Sequence, residues 1–234
     1  MSWAVNEGTR KINVIRNWPD PKAPGPLTSN KVPSVVTYNI HKLHEVLDWG
    51  FGAIRGHDRQ HESEPFEWFK LLLQPESLDE HKAADVLEIT KLRALLDKYD
   101  KTAEEVTADY LKCIWGYTKK QLRRQLGSKF MVEYCARVIF TIPAIWEPGT
   151  HSKVRKLALR AGLPEKIHFV QEPEAAAMEV LKGWTQLKVG DIITVCDAGG
   201  GTCVRCNFHS KKPHNTNLFP RISKRTRFSS CRHA

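Results

Sequence analysis

No run in this 234-residue chain approaches the roughly 20 consecutive apolar residues that span a bilayer. The opening MSWAVNEGTRK lacks the apolar centre that a secretory signal carries. Those two absences argue against a membrane-spanning helix and against export. The chain reads as cytosolic or nuclear, with the cytoplasm as the expected location and no membrane partner. Its six cysteines are accordingly read as reduced thiols, not as a disulfide framework. Acidic groups are missing from residues 204–234, which hold eight Lys or Arg and no Asp or Glu. The first 203 residues carry 28 basic and 26 acidic groups, so most of the net charge of +10 belongs to the tail. This argues against a uniformly basic binding domain and confines any nucleic-acid contact to the tail.

What is present begins with β pattern. Residues 2–6 and 11–18 read as two strands around Glu7-Gly8-Thr9-Arg10, with Ile12 and Val14 alternating. PDPKAPGP (19–26) is a proline-rich loop, and residues 32–39 are a third strand, together suggesting an antiparallel meander. In FEWFKLLL, residues Phe66, Phe69, Leu72 and Leu73 follow helical spacing, with Lys70 the one cation among them; a snorkelling surface lysine is the ordinary reading of it. Residues 83–96 form an amphipathic stripe through Val86, Ile89, Leu92 and Leu96. Thr102 and Glu105 have capping-box spacing, ahead of a helix that carries Val106, Tyr110, Ile114 and Tyr117 and ends near Gly127. These helices read as core and cover, with no chemistry legible on them.

From Phe130 the pattern turns to alternating strand and helix. Residues 138–142 read as a strand closed by Pro143. Thr150 is placed to cap a helix with the stripe Val154, Leu157, Ala158 and Ala161, ended by Gly162 and Pro164. Residues 167–170 are a short strand; Glu172 ends it, and Pro173 suits the first turn of the following helix. Such alternation implies an α/β fold with parallel strands, whose ligands gather at the carboxyl ends of strands. IITVCDAGGGT (192–202) is the most informative stretch: a β-branched strand, then Asp197 at its end, then Gly199, Gly200, Gly201 and Thr202. Three successive glycines leave backbone N–H groups open as an anion nest, and Thr202 adds a hydroxyl. A carboxylate facing a phosphate cradle needs a cation between them, which points to Mg²⁺ held by Asp197 directly or through water. The alternative is a plain glycine-rich turn.

FTIPAIW (140–146), AGLP (161–164), QEPEAAA (171–177) and DAGGGT (197–202), in that order, resemble the heat-shock-70 chaperone family, and most of all its divergent members in filamentous fungi. The resemblance implies an actin-like ATPase (ribonuclease H-like) fold with two lobes around a nucleotide cleft. Residues 1–203 would then be part of that nucleotide-binding domain: the first lobe over about 1–136, the start of the second over about 137–203, and a basic tail at 204–234. ATP and Mg²⁺ are the implied cofactors, and unfolded protein clients and co-chaperones the implied partners of the full-length family. Asp197 would act on the Mg²⁺ shell, Gly199, Gly200, Gly201 and Thr202 would hold the β- and γ-phosphates, and Glu172 would position water. Lys70 is loosely similar to the family's phosphate-facing lysine.

The chain departs from that pattern in three places. The family's first phosphate loop, Asp-x-Gly-Thr-Thr, would precede SWAVN. Val204 stands where the family has an aspartate, and no segment resembles the adenosine pocket or peptide-binding region. The expectation is a product truncated at both ends, or a gene model with a missed exon, retaining one side of a two-sided phosphate clamp and impaired in hydrolysis. The second lobe's sheet would then stop at an exposed edge. The competing reading is a non-catalytic remnant or interaction fragment without nucleotide binding. The tail reads as disordered, without helical or strand period. Cys203, Cys206, His209 and His214 offer zinc-type donors, with Cys231 and His233 beyond, but not at the spacing of a standard finger. RISKRTR (221–227) could contact nucleic acid or serve nuclear import.

Overall fold

The computed structural model describes residues 1–6, 11–19, 27–57, 63–74, 87–181, 188, 190–198, 203–211 and 221–225. The chain divides into two units, one of Met1–Ala136 with Ser152–Glu165, the other of Arg137–His151 with Lys166–Ala234. Both mix helices with small sheets.

In the first unit, β1 (Ser2–Trp3) pairs with β2 (Asn13–Val14), β3 (Asn17–Trp18) with β4 (Leu27–Thr28), and β5 (Val36–Asn39) with β6 (Lys42–Trp49), all antiparallel. The expected meander is thus three separate two-stranded ladders among the described residues. The turn at residues 7–10 and loop residues 20–26 lie outside the described residues. β6 had no counterpart in the sequence reading; its register against β5 shifts on both sides of Tyr38, which breaks the simple alternation. Gly50, at φ +61, turns the chain into α1 (Phe51–His57), and a Cβ there would stand 2.7 Å from Val32 Cγ2.

Phe66 joins the outer side of β5: its N–H donates to the Val36 carbonyl at 2.8 Å, and Val36 N–H donates to the Phe66 carbonyl at 3.2 Å. The FKLLL run forms a 3-10 turn, Phe69–Leu73, rather than an α-helix, and is entered through Trp68 at φ 62. α2 (Leu87–Lys98) realises the amphipathic stripe from Ile89 onward; residues 83–86 lie outside the described residues. Val36, Tyr38, Phe66, Phe69, Leu92, Tyr99, Val106 and Tyr110 pack as one buried cluster, each large side chain adding about 1.5–3 kcal/mol. Its aromatic rings meet edge to face, Tyr38 on Phe66 at 5.1 Å and Phe66 on Tyr99 at 5.2 Å. Trp18 is fully buried, and its Nε1–H donates to the Ser29 carbonyl at 2.8 Å.

Asp100, at φ 49, closes α2: Lys101 N–H reaches the Leu96 carbonyl and Asp100 N–H the Asp97 carbonyl. The chain then enters α3 (Ala103–Leu126) through the capping box expected from sequence. Glu105 N–H donates to Thr102 Oγ1 at 3.1 Å, and Thr102 N–H donates to Glu105 Oε2 at 2.9 Å. Gly127, at φ 92, ends the helix, and a single turn, α4 (Phe130–Glu133), follows.

In the second unit, β7 (Val138–Ile142) and β8 (Ile167–Gln171) pair in parallel, with Phe140 opposite Phe169. α5 (Pro148–Arg160) connects them, its residues from Ser152 onward grouping with the first unit. It begins at Pro148, not after a Thr150 cap; proline suits the first turn, and the Glu147 carbonyl already accepts from Thr150 N–H at 3.0 Å. Gly162, at φ 82, ends it, with Leu163 N–H reaching the Ala158 carbonyl. α6 (Glu172–Leu181) follows β8 directly. β9 (Ile192–Ala198), β10 (Cys203–Lys211) and β11 (Arg221–Arg225) form an antiparallel sheet with β10 in the centre.

The region read as a patternless tail therefore carries two strands. Val204, Cys206 and Phe208 alternate with Arg205, Asn207 and His209 in the sequence, and Cys206 and Phe208 are buried at 0% and 3% exposure. Residues 212–220 and 226–234 lie outside the described residues.

Thr102→Ala is expected to cost about 1 kcal/mol in urea unfolding of the chain. The Thr102 backbone N–H, joined by the Thr102 hydroxyl and opposed by burial, sets the Glu105 carboxyl below the usual glutamate value. A depressed folded-state pKa adds stability above the unfolded value and loses it as pH falls through the folded one. Glu105→Ala removes this carboxylate, so the stability gap between the parent and that variant should narrow on acidification below the glutamate range. A gap constant from neutral to acid pH would contradict the box.

Candidate functional site

Asp197 is the penultimate residue of β9, and β9 pairs with β10 in unbroken register from Ala198 opposite Cys203 to Ile192 opposite His209. Gly199, Gly200, Gly201 and Thr202 are the four residues between these two stems; they lie outside the described residues. The stems are held from one side. Cys206 and Phe208 of β10 pack with Ala144 and with Ala177 of α6, and Ile193 and Val195 of β9 adjoin the same cluster. The sheet carrying Asp197 is thus anchored by burial on both strands.

Glu172 opens α6 immediately after the carboxyl end of β8, half-buried, with Pro173 fully buried next to it. A carboxylate in the first turn of a helix is favoured by the exposed N–H groups there, so Glu172 also has a structural reason for its place. α6 contacts β7, β8, β9 and β10. One helix therefore joins the element that carries Glu172 to the one that carries Asp197, and both residues belong to the second unit. Lys70 belongs to the first unit, where it is exposed on the 3-10 turn. That turn is tied down by Lys153, whose Nζ donates to the Leu73 carbonyl at 3.0 Å and pairs with Glu104 at 3.1 Å.

Among the described residues, no group of three His, Cys, Asp or Glu side chains could hold a metal ion. Asp197, Glu172 and Thr202 are all oxygen donors, the kind that Mg²⁺ takes. Among the described residues no cluster gathers the cysteine and histidine donors of the zinc reading. Cys203 and Cys206 both fall in β10, in continuous register against β9. Cys206 is fully buried in the apolar cluster with Phe208. His214, Cys231 and His233 lie outside the described residues.

No family model matches the chain. Among curated relatives, it is 28% identical over 214 residues to heat shock 70 kDa protein 12A of Homo sapiens, covering 87% of this chain and 30% of that protein. It is 30% identical over 176 residues to heat shock 70 kDa protein 12A of Mus musculus, covering 71% of this chain and 24% of that protein. The chain thus spans less than a third of the length of the curated relatives it matches. No helix among the described residues is long and apolar enough to cross a membrane.

Cys206→Ala should cost about 1 kcal/mol of stability through the lost packing atom, with the zinc content of purified protein at background in parent and variant alike. Stoichiometric zinc that disappears with the substitution would restore the cysteine–histidine site.

Proposed function

We propose that the chain is a phosphate-holding portion of a heat-shock-70-like, actin-like ATPase domain, and that it binds ATP with Mg²⁺. The observation that carries this reading is the hairpin whose in-register stems end at Ala198 and Cys203, with Asp197 beside the Gly199–Thr202 link. Similarity to a heat-shock-70 protein over 87% of the chain supports it. In this reading the two units correspond to a first lobe and the start of a second.

Gly199, Gly200 and Gly201 offer backbone N–H groups to the β- and γ-phosphates, and Thr202 offers its hydroxyl. Asp197 holds Mg²⁺ or one of its waters. Bound Mg²⁺ would neutralise charge on the phosphates. Glu172 orients water toward the terminal phosphate. Phosphoryl chemistry depends chiefly on placement and charge stabilisation, so anchoring β9 and β10 through Cys206 and Phe208 bears directly on the site. Unfolded clients, co-chaperones and a cytoplasmic setting belong to the same proposal. Nucleotide binding is its testable core, since the chain spans under a third of its relatives.

Calorimetric titration with Mg-ATP should show saturable binding, weakened at least tenfold, or about 1.4 kcal/mol, by Asp197→Ala and by Gly200→Val. Both variants should keep the parent circular dichroism spectrum and thermal midpoint. Absence of saturable binding at millimolar Mg-ATP would defeat the proposal and leave the reading of a non-catalytic interaction fragment.

A further inference from the structure

A concavity lies wholly within the first unit and shares no residue with the glycine segment. One wall is a single stripe of α3: Asp109, Lys112, Cys113, Gly116, Tyr117 and Lys120, spaced by three and four so that they share a face. The other wall is β6, through its alternate residues Lys42, His44 and Val46, with Trp49 at the end of the strand. The cleft encloses about 880 Å³, within the range of small-molecule sites, and its lining is mostly apolar.

Gly116 is the telling residue. It sits inside a 24-residue helix without a positive φ, and a Cβ built on it meets nothing within 4 Å. Neither backbone conformation nor packing calls for glycine there, and glycine lowers helix stability relative to alanine. What the missing side chain does is keep the space between Cys113 and Tyr117 open.

The charges around the cleft do not cancel. The Asp109 carboxylate is engaged by the Tyr38 hydroxyl at 2.8 Å and by Lys101 Nζ at 3.3 Å, and Glu45 pairs with Lys42 at 3.4 Å. Lys112 and Lys120 stand exposed, and neither forms an ion pair among the described residues. His44 is exposed on the facing wall. The Trp49 and Tyr117 rings, 6.1 Å apart, supply flat aromatic surface. Burial pushes the Cys113 thiol up to about 11, so it stays neutral lining and is not an activated nucleophile.

We infer that this cleft binds a small molecule carrying a planar aromatic ring and an anionic group, the ring seated over Gly116 against Trp49 and Tyr117 and the anion drawn by Lys112 or Lys120, one helical turn to either side. The assignment does not rest on the nucleotide reading of the glycine segment.

The test uses 8-anilinonaphthalene-1-sulfonate as the probe and the neutral N-phenyl-1-naphthylamine as its comparison, both titrated calorimetrically into the full chain. The sulfonate should bind at one saturable site, at least tenfold more tightly than the neutral amine, with affinity falling as salt rises. Lys112→Gln with Lys120→Gln should weaken it at least tenfold. Gly116→Leu should abolish binding while leaving the thermal midpoint equal or higher. Equal affinity for the two probes overturns the inference, as does undiminished sulfonate binding to a folded Gly116→Leu variant. Should Gly116→Leu fail to fold, the double lysine variant, altered only at exposed positions, decides alone.

Discussion

The buried ammonium of Lys101 is the constraint on which the first unit depends. Only 4% of its side-chain surface is exposed, and a cation so placed is costly unless paired. Its Nζ lies 3.3 Å from the Asp109 carboxylate and 4.1 Å from the centre of the Tyr38 ring, whose hydroxyl donates to the same carboxylate at 2.8 Å. Burial, followed by the charge of Asp109, raises the Tyr38 pKa, so the phenol remains a donor. Three segments meet there: β5, the turn after α2, and the second turn of α3. Asp100 in its left-handed conformation and the Thr102 cap lie on either side of Lys101, so the stop of one helix and the start of the next are both referenced to one ion pair. Fixing Asp109 also fixes the rotation of α3 about its axis. Val106 and Tyr110 then enter the core, while Lys112, Gly116 and Lys120 face the cleft.

Local signals were legible where one residue type answers one backbone need. Thr102 with Glu105 marked the start of α3 and Gly127 its end, because each satisfies groups that the helix cannot. Gly162 ended α5, and Val138–Ile142 emerged as a strand. The misses have physical causes. β6 reads as KLHEVLDW, and the register shifts around Tyr38 spoil the two-residue period that would have marked it. β10 was obscured by composition: the basic excess of residues 204–234 drew attention from the alternation of Val204, Cys206 and Phe208. Lys70 looked helical because five residues cannot distinguish a 3-10 turn from an α-helix; the left-handed Trp68 ahead of it leaves only the short turn.

The two candidate sites differed in legibility for a related reason. A glycine cluster after a strand announces itself, since its chemistry comes from backbone N–H groups that three adjacent residues expose. The cleft of the first unit joins a helix stripe to a strand far away in the chain, and its central feature, Gly116, is an absent side chain. Periodicity assigned that helix to core and cover, which holds for Val106 and Tyr110 but leaves the neighbouring stripe unexplained. Only the pairing of Asp109 with Tyr38 and Lys101 shows that the acids near the cleft are already engaged and that the lysines remain.

In the second unit the same logic runs from packing to site. Glycine gives up more conformational freedom on ordering than any other residue, so the stems on either side of a glycine segment carry the local packing. Ala198 and Cys203 stand opposite each other at the close of a seven-pair ladder, and that ladder is pinned by Cys206 and Phe208 against Ala144 and Ala177. Ala177 lies on the helix that Glu172 opens. The burial that fixes the hairpin stems therefore also places the Glu172 helix, so the two carboxylate-bearing elements are set by one small core.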